Sequence, residues 1–457
     1  MDLYPLGLLD TLRAYREGRA TVQDYVASCS ERIAQVEPRI QAWEWFDPSR
    51  ALADAEERAG GILADLPLYG IPVGVKDIIN TRGIPTRMGS RIYQANVPSM
   101  SAWVVRRLEA LGGLVMGKTV TTEFAYRAPG KTRNPWNTNH TPGGSSSGSA
   151  AAVAAGFVPV AIGTQTLGSV IRPAAFCGVV GYKPSFGAIS RNGILPFAPT
   201  TDTVGVFARS VADAAWFGAC LMGQDNRDEA TYIRGALSTL HVPLEPLAES
   251  PRLAIVRTPK WSLATEHQRV HFDECVAKLA SAGAQVKEVV LPKFFDEAWD
   301  NLWTIVSRDA VKSFFSVESR HRIRLSPMLQ ELLDRGHRVT PEQHARAKDK
   351  REHYRQWMDS QLSRFDAIVT IPAPGEAPEG LASTGDMTFA SLWTQVGLPA
   401  VSIPSGRGPK GLPLGLQVVG RYRDDERALR VAAWCEAMLG FDMGLPATAT
   451  TSQSSTQ

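Results

Sequence analysis

Apolar positions recur at helical spacing over Leu8 to Arg16 and over Val22 to Val36, the second segment behind Thr21, whose hydroxyl suits an N-cap. These segments predict an N-terminal helical pair packed on a sheet. Ala102 to Leu111 predicts a further helix, closed by Gly112-Gly113. Beyond residue 250 the period alternates: Leu253 to Val256 predicts a strand, Val270 to Ala282 a helix, and Val286 to Pro292 another strand. Phe365 to Ile371 predicts a buried strand that runs into the proline-rich segment Pro372 to Pro378. Strands alternating with helices require a sheet covered on both faces, so the fold class is α/β. No internal repeat interrupts this organisation.

The middle of the chain departs from that pattern. Thr141 to Ser149 is a run of glycine and serine, and Ala150 to Ala155 follows it directly. The alanine segment is a strong helix former without a polar face, so it predicts a buried helix that starts inside the loop. A flexible linker would not lead straight into such a helix. Val158 to Thr164 predicts a buried strand, and Gly163 to Ala174 holds a second loop of small residues. The chain runs out and returns, which brings the two loops together. Both expose backbone N–H groups outside helix and sheet, and clustered donors of that kind suit an oxyanion. The second loop contains Leu167-Gly168-Ser169, where small residues let a substrate carbonyl approach the main chain.

Two serines in separate loops, with Lys76 upstream, offer a nucleophile, a proton bridge and a base without histidine. A lysine of ordinary pKa is neutral in roughly one molecule in 2,500 at pH 7, so it serves as a base only where its site depresses that value. Ile71 to Val75, Ile78 and Ile79 provide an apolar site. A shift of about three units costs on the order of 4 kcal/mol. Asp77 would favour the charged form if it touched the ammonium, but neighbours on a strand point to opposite faces.

With these loops and Lys76, the sequence resembles the amidase signature family, the Ser-Ser-Lys amide hydrolases that include the amidase component of tRNA-dependent amidotransferases. The resemblance also covers Ile71 to Asp77, Gly117 to Ala125, Gly178 to Ser185 and Gly411 to Gln417. It implies one large mixed sheet covered on both faces by helices, in a single domain over residues 1–445 with the core motif region at 70–210. It also implies Ser169 as nucleophile, Ser145 as bridging serine after a cis peptide bond from Gly144, and Lys76 as base. The oxyanion hole falls on the backbone N–H groups of Thr166, Leu167, Gly168 and Ser169, and the proline-rich loop is placed beside the acyl pocket. Many members have Asp where Gln165 stands and Gly where Leu167 stands, and the arginine falls one place later here, at Arg172, as in malonamidase-like members. Gly144, Gln165 and Arg172 are the candidate substrate-binding residues. Ser147 replaces a usual glycine, at a cost of about 1 kcal/mol if that position needs positive φ.

Residues 299–362 are the least family-like. This segment reads as a helical pair broken near Arg335 to Pro341, a candidate lid or pocket wall, with His321, His337, His344 and His353 on solvated faces. Trp393 reads as a packing residue. Among 457 residues, 44% hydrophobic content suffices for a large core, and a net charge of +3 implies no nucleic-acid surface. The five cysteines have no paired or metal-ligand spacing, so they read as buried apolar residues in a reducing compartment. With no signal peptide and no apolar run long enough to span a bilayer, the cytoplasm is the expected location. The polar segment 446–457 reads as a disordered tail.

Together these features predict an enzyme that hydrolyses a small amide or carbamate, without cofactor or metal. Its expected partner is the small-molecule substrate, with neither nucleic acid nor membrane, and a homodimer is the candidate assembly. One alternative is an amidotransferase A-type subunit that releases ammonia from glutamine within a complex. Another, of a different class, is a catalytically silent binding protein on the same fold.

Overall fold

The computed structural model describes residues 2–58, 65–232, 244, 247 and 249–447. Its strands are β1 Trp43–Phe46, β2 Pro72–Lys76, β3 Leu114–Thr119, β4 Val160–Gln165, β5 Val180–Lys183, β6 Thr203–Ala208, β7 Arg252–Ile255, β8 Gln285–Glu288, β9 Ala367–Thr370, β10 Ala400–Arg407 and β11 Pro413–Val419. They form one mixed sheet in the order β1-β3-β2-β4-β6-β5-β10-β11-β9-β7-β8. β2 lies parallel to β3 on one side and to β4 on the other, and all its residues are buried. A strand covered on both faces reads as a continuous apolar run, as Ile71 to Val75 does. Lys76 ends that strand, so the fold delivers its side chain from the interior of the sheet.

The N-terminal helical pair is present as Leu8–Arg16 and Val22–Ile40, the latter opened by a capping box between Thr21 and Asp24. The alanine helix spans Ser147–Ala154 and is buried along its whole length. Ser147 sits within this helix and is not among the positive-φ residues, so the anticipated backbone penalty does not arise. The left-handed conformation falls instead on Gly143, at φ 80°.

The segment 299–362 differs from the expected helical pair. It forms three helices, Ala298–His321, Pro327–His337 and Pro341–Leu362. Ser326-Pro327 and Thr340-Pro341 each supply a hydroxyl cap followed by proline at the first helical position, so the chain restarts twice. His344 is buried rather than solvated, with Nε2 2.9 Å from Asp309 Oδ1 on the facing helix. Burial there depresses its pKa, opposed by Asp309. Trp393 is fully buried, and all five cysteines are free and buried. Among the described residues no helix is long and apolar enough to cross a membrane. Of the polar tail, residues 448–457 lie outside the described residues.

Candidate active site

Lys76 projects from the end of β2 with no exposed surface, and its Nζ donates to Ser145 Oγ at 2.7 Å and to Thr164 Oγ1 at 2.8 Å. Burial pushes its pKa well below the usual lysine range, against a smaller upward pull from Asp202. The two partners come from neighbouring structure: Thr164 lies near the end of β4, which pairs with β2, and Ser145 lies in the loop before the alanine helix. The Gly144–Ser145 peptide bond is cis.

The serine run divides its work. Ser146 Oγ accepts from Thr164 N at 3.2 Å and donates to Thr164 O at 3.1 Å, which pins the loop to the end of β4. Ser147 Oγ donates to Gly143 O at 2.7 Å, and Ser149 Oγ donates to Ile162 O at 3.0 Å. Hydroxyls bonded to backbone in this way hold the loop, and Ser145 is the serine of the run whose hydroxyl meets the lysine.

Ser169 lies in the short turn between β4 and the helix Ile171–Cys177, with 8% of its surface exposed. Among the described residues its hydroxyl makes no hydrogen bond, and the amides of Leu167, Gly168 and Ser169 donate to no protein group. Such orphan donors are uncommon in a buried turn and form a ready anion site. Their neighbours are occupied: Gln165 Oε1 accepts from Val170 N at 2.7 Å and Ile171 N at 2.9 Å, and Arg172 N donates to Gly168 O.

Gln165, a candidate substrate contact, is engaged by the protein itself. It is fully buried, with its carbonyl engaged by the turn and its Nε2 donating to Thr394 Oγ1 at 2.8 Å. The Gly144 carbonyl is likewise occupied, by Arg172 Nη2. Arg172 also donates from Nη2 to Thr384 Oγ1 at 3.1 Å, while its Nε and Nη1 are buried without a hydrogen bond. Burial lowers its pKa to about 10, with Asp386 acting in the opposite sense. A buried guanidinium with two free donor atoms beside the Gly144–Ser145 bond has the chemistry to hold a carbonyl or carboxylate oxygen. The proline-rich segment abuts the lead-in to the serine run, where Thr141 N donates to Pro378 O at 3.2 Å.

Sequence reasoning missed three contributors. Thr164 shares the lysine, and Thr394 braces the turn from a distant helix. Asp202, half-buried, accepts from Thr166 Oγ1 at 2.6 Å and from the amides of Phe197 and Ala198. An acid between Thr201 and Thr203 before an apolar strand was the available signal for the last; nothing local marks the others. Among the described residues no cluster of His, Cys, Asp and Glu is arranged to hold a metal ion.

The family model described as Amidase matches residues 24–429. The glutamyl-tRNA(Gln) amidotransferase A-type subunit of Synechococcus sp. (strain CC9605) is 33% identical, over 92% of this chain and 95% of its own. Two solved structures are also similar. Native peptide amidase from Stenotrophomonas maltophilia has a TM-score of 0.84 and 28% identity, covering 97% of this chain and 99% of that one. The glutamyl-tRNA(Gln) amidotransferase A-type subunit from Thermotoga maritima has a TM-score of 0.80 and 29% identity, covering 94% of each chain.

Proposed function

The chain belongs to the amidase family, whose members act on C–N bonds, and from that premise we propose that it hydrolyses a carboxamide through an ester on Ser169. The observation that carries this reading is the 2.7 Å contact from Lys76 Nζ to Ser145 Oγ, with the lysine held toward neutrality by burial. Neutral Lys76 draws a proton from Ser145, Ser145 draws one from Ser169, and the Ser169 oxygen bonds to the amide carbon. The N–H groups of Thr166, Leu167, Gly168 and Ser169 hold the resulting oxyanion. On collapse the C–N bond breaks, Ser145 gives its proton to the leaving nitrogen, and Lys76 reprotonates Ser145. Water, deprotonated by the same relay, then cleaves the ester. Arg172 takes an oxygen at the acyl end of the substrate. The acyl group is carboxylic rather than carbamoyl, on the strength of relatives named for amides.

Between a free-standing hydrolase and an amidotransferase A-type subunit, the second setting is the better supported. The relatives that match almost the full chain at 31 to 33% identity are named as such subunits. On this reading glutamine is the amide, ammonia is the product, and the chain works with partner subunits. The five buried free cysteines fit a reducing compartment such as the cytoplasm. The test is to isolate the chain from its native cells at endogenous level and measure ammonia release from glutamine. Co-isolated subunits with glutamine turnover are expected; a lone chain that ignores glutamine but cleaves other amides would return the free-standing hydrolase.

A further inference from the structure

We propose that Gln165 and Thr394 act together as a positioning clamp that sets the nucleophile turn and leaves its oxyanion amides free. The inference rests on the reading of Ser169 as nucleophile. Gln165 is the last residue of β4, and its Oε1 reaches forward over the turn to accept from Val170 N and Ile171 N, just beyond Ser169. Its Nε2 donates to Thr394 Oγ1, and that hydroxyl is 2.8 Å from the Leu167 carbonyl, to which it donates, with the Ala390 carbonyl at 3.1 Å. One chain of hydrogen bonds therefore fastens the turn on both sides of Ser169. It uses the two amides after the nucleophile and a carbonyl before it, and none of the amides at Leu167, Gly168 or Ser169.

The surroundings show why packing alone does not do this. On one side Thr164 and Thr166 border a cavity of about 190 Å³, also lined by Ile78, Phe197 and Asp202, so the turn has no solid wall there. On the other side it lies directly on the helix Thr388–Gln395: a Cβ placed on Gly168 would come within 3.1 Å of Met387 Cβ and 3.2 Å of Ala390 Cβ. Thr394 sits on that helix, which Trp299 Nε1 ties to the variable segment through Thr388 O. The clamp thus registers the turn against a rigid neighbour. A glutamine suits the task because it accepts at one end and donates at the other. A carboxylate at the same position lacks the donor, so the single proton of the threonine hydroxyl could not serve both that carboxylate and the Leu167 carbonyl.

The experiment compares wild type with Thr394→Val, Thr394→Ser and Gln165→Glu, together with the double variant Gln165→Glu/Thr394→Val. The readouts are the rate of fluorophosphonate labelling at Ser169, kcat and KM on a simple amide, and melting temperature. Thr394→Val and Gln165→Glu should each label and turn over about 10²-fold more slowly, the scale for a misplaced reacting group, with KM within about twofold of wild type. Thr394→Ser should restore wild-type rates, and the double variant should lose no more than the worse single variant. Wild-type labelling rates in either single variant, a loss confined to KM, or a Thr394→Ser variant as impaired as Thr394→Val would overturn the clamp. If a single variant fails to fold, Thr394→Ser and the remaining single variant decide the matter by the same criteria. Should wild type itself form no adduct at Ser169, the nucleophile assignment fails and takes the clamp with it.

Discussion

The Asp77 carboxylate lies 3.2 Å from the Lys118 ammonium, both side chains fully buried, although Asp77 is the sequence neighbour of Lys76. Asp77 Oδ2 also accepts from Arg87 N, and Lys118 Nζ donates to Ile79 O and Thr86 Oγ1. Lys76 meets hydroxyls instead. Two buried lysines on adjacent strands thus receive opposite treatment: Lys118 has the counter-charge, and Lys76 is left to be depressed by burial. Burial pushes the Asp77 carboxyl up and the Lys118 ammonium down, and each charge opposes that shift in the other by favouring its ionised form. Removing one partner strands the other charge. Asp77→Asn and Lys118→Met should each lose about 3 to 5 kcal/mol in denaturant unfolding, while the double variant should recover most of the loss. Additive losses would refute the pairing.

The proposed nucleophile makes the sharpest prediction for activity. Ser169→Ala should fold normally and lose on the order of 10⁶ in kcat, the scale for a nucleophile that acts with its base as one unit. Fluorophosphonate should add its mass at Ser169 in wild type, as read by peptide mass spectrometry. Activity within about tenfold of wild type, or an adduct on a cysteine, would reject the serine ester.

Lys76 links activity and stability through pH. If it is the base, kcat/KM should rise with pH and level off once pH exceeds its depressed pKa. For stability, the unfolded chain keeps the proton up to the ordinary lysine value while the folded site releases it earlier, so burial of Lys76 destabilises the fold fully at low pH and progressively less as pH climbs toward about 10.5. Lys76→Met should therefore be inactive yet melt higher than wild type near neutral pH, with the difference shrinking as pH rises. A variant that melts lower at every pH would show the lysine to be paired and charged in the fold.

Arg172 should reveal itself by substrate choice. Its free Nε and Nη1 predict that Arg172→Met raises KM for substrates with an acyl-end carboxylate by about 30- to 150-fold more than for neutral analogues, the equivalent of 2 to 3 kcal/mol for a charge-assisted hydrogen bond. Equal losses on both classes would mean that its role is confined to holding Gly144 O.

The sequence by itself determined a good deal here. The apolar run ending at Lys76, the two serine-bearing loops and the buried alanine helix between them were legible because each depends on local composition and on neighbours a few residues away. So were the N-terminal helices, the second with its Thr21 cap, and the turn carrying Ser169 could be located from its small residues. What remained for the tertiary structure were the partners. The family resemblance named Ser145 as the bridge, but why Ser145 rather than Ser146 meets Lys76 depends on how β4 aligns with β2, since the two serines differ by one position. Gln165 read as a substrate contact because its turn lies at the site, yet its bonds run to the turn's own backbone and to Thr394, 229 residues away. His344 read as solvated because its helix is highly charged, whereas Asp309 on the facing helix buries it. Strand alternation pointed Asp77 away from Lys76, but its partner Lys118 comes from the neighbouring strand. In each case the deciding hydrogen bond or ion pair joins residues far apart along the chain, and such contacts are set by the packing of elements, which local patterning does not encode.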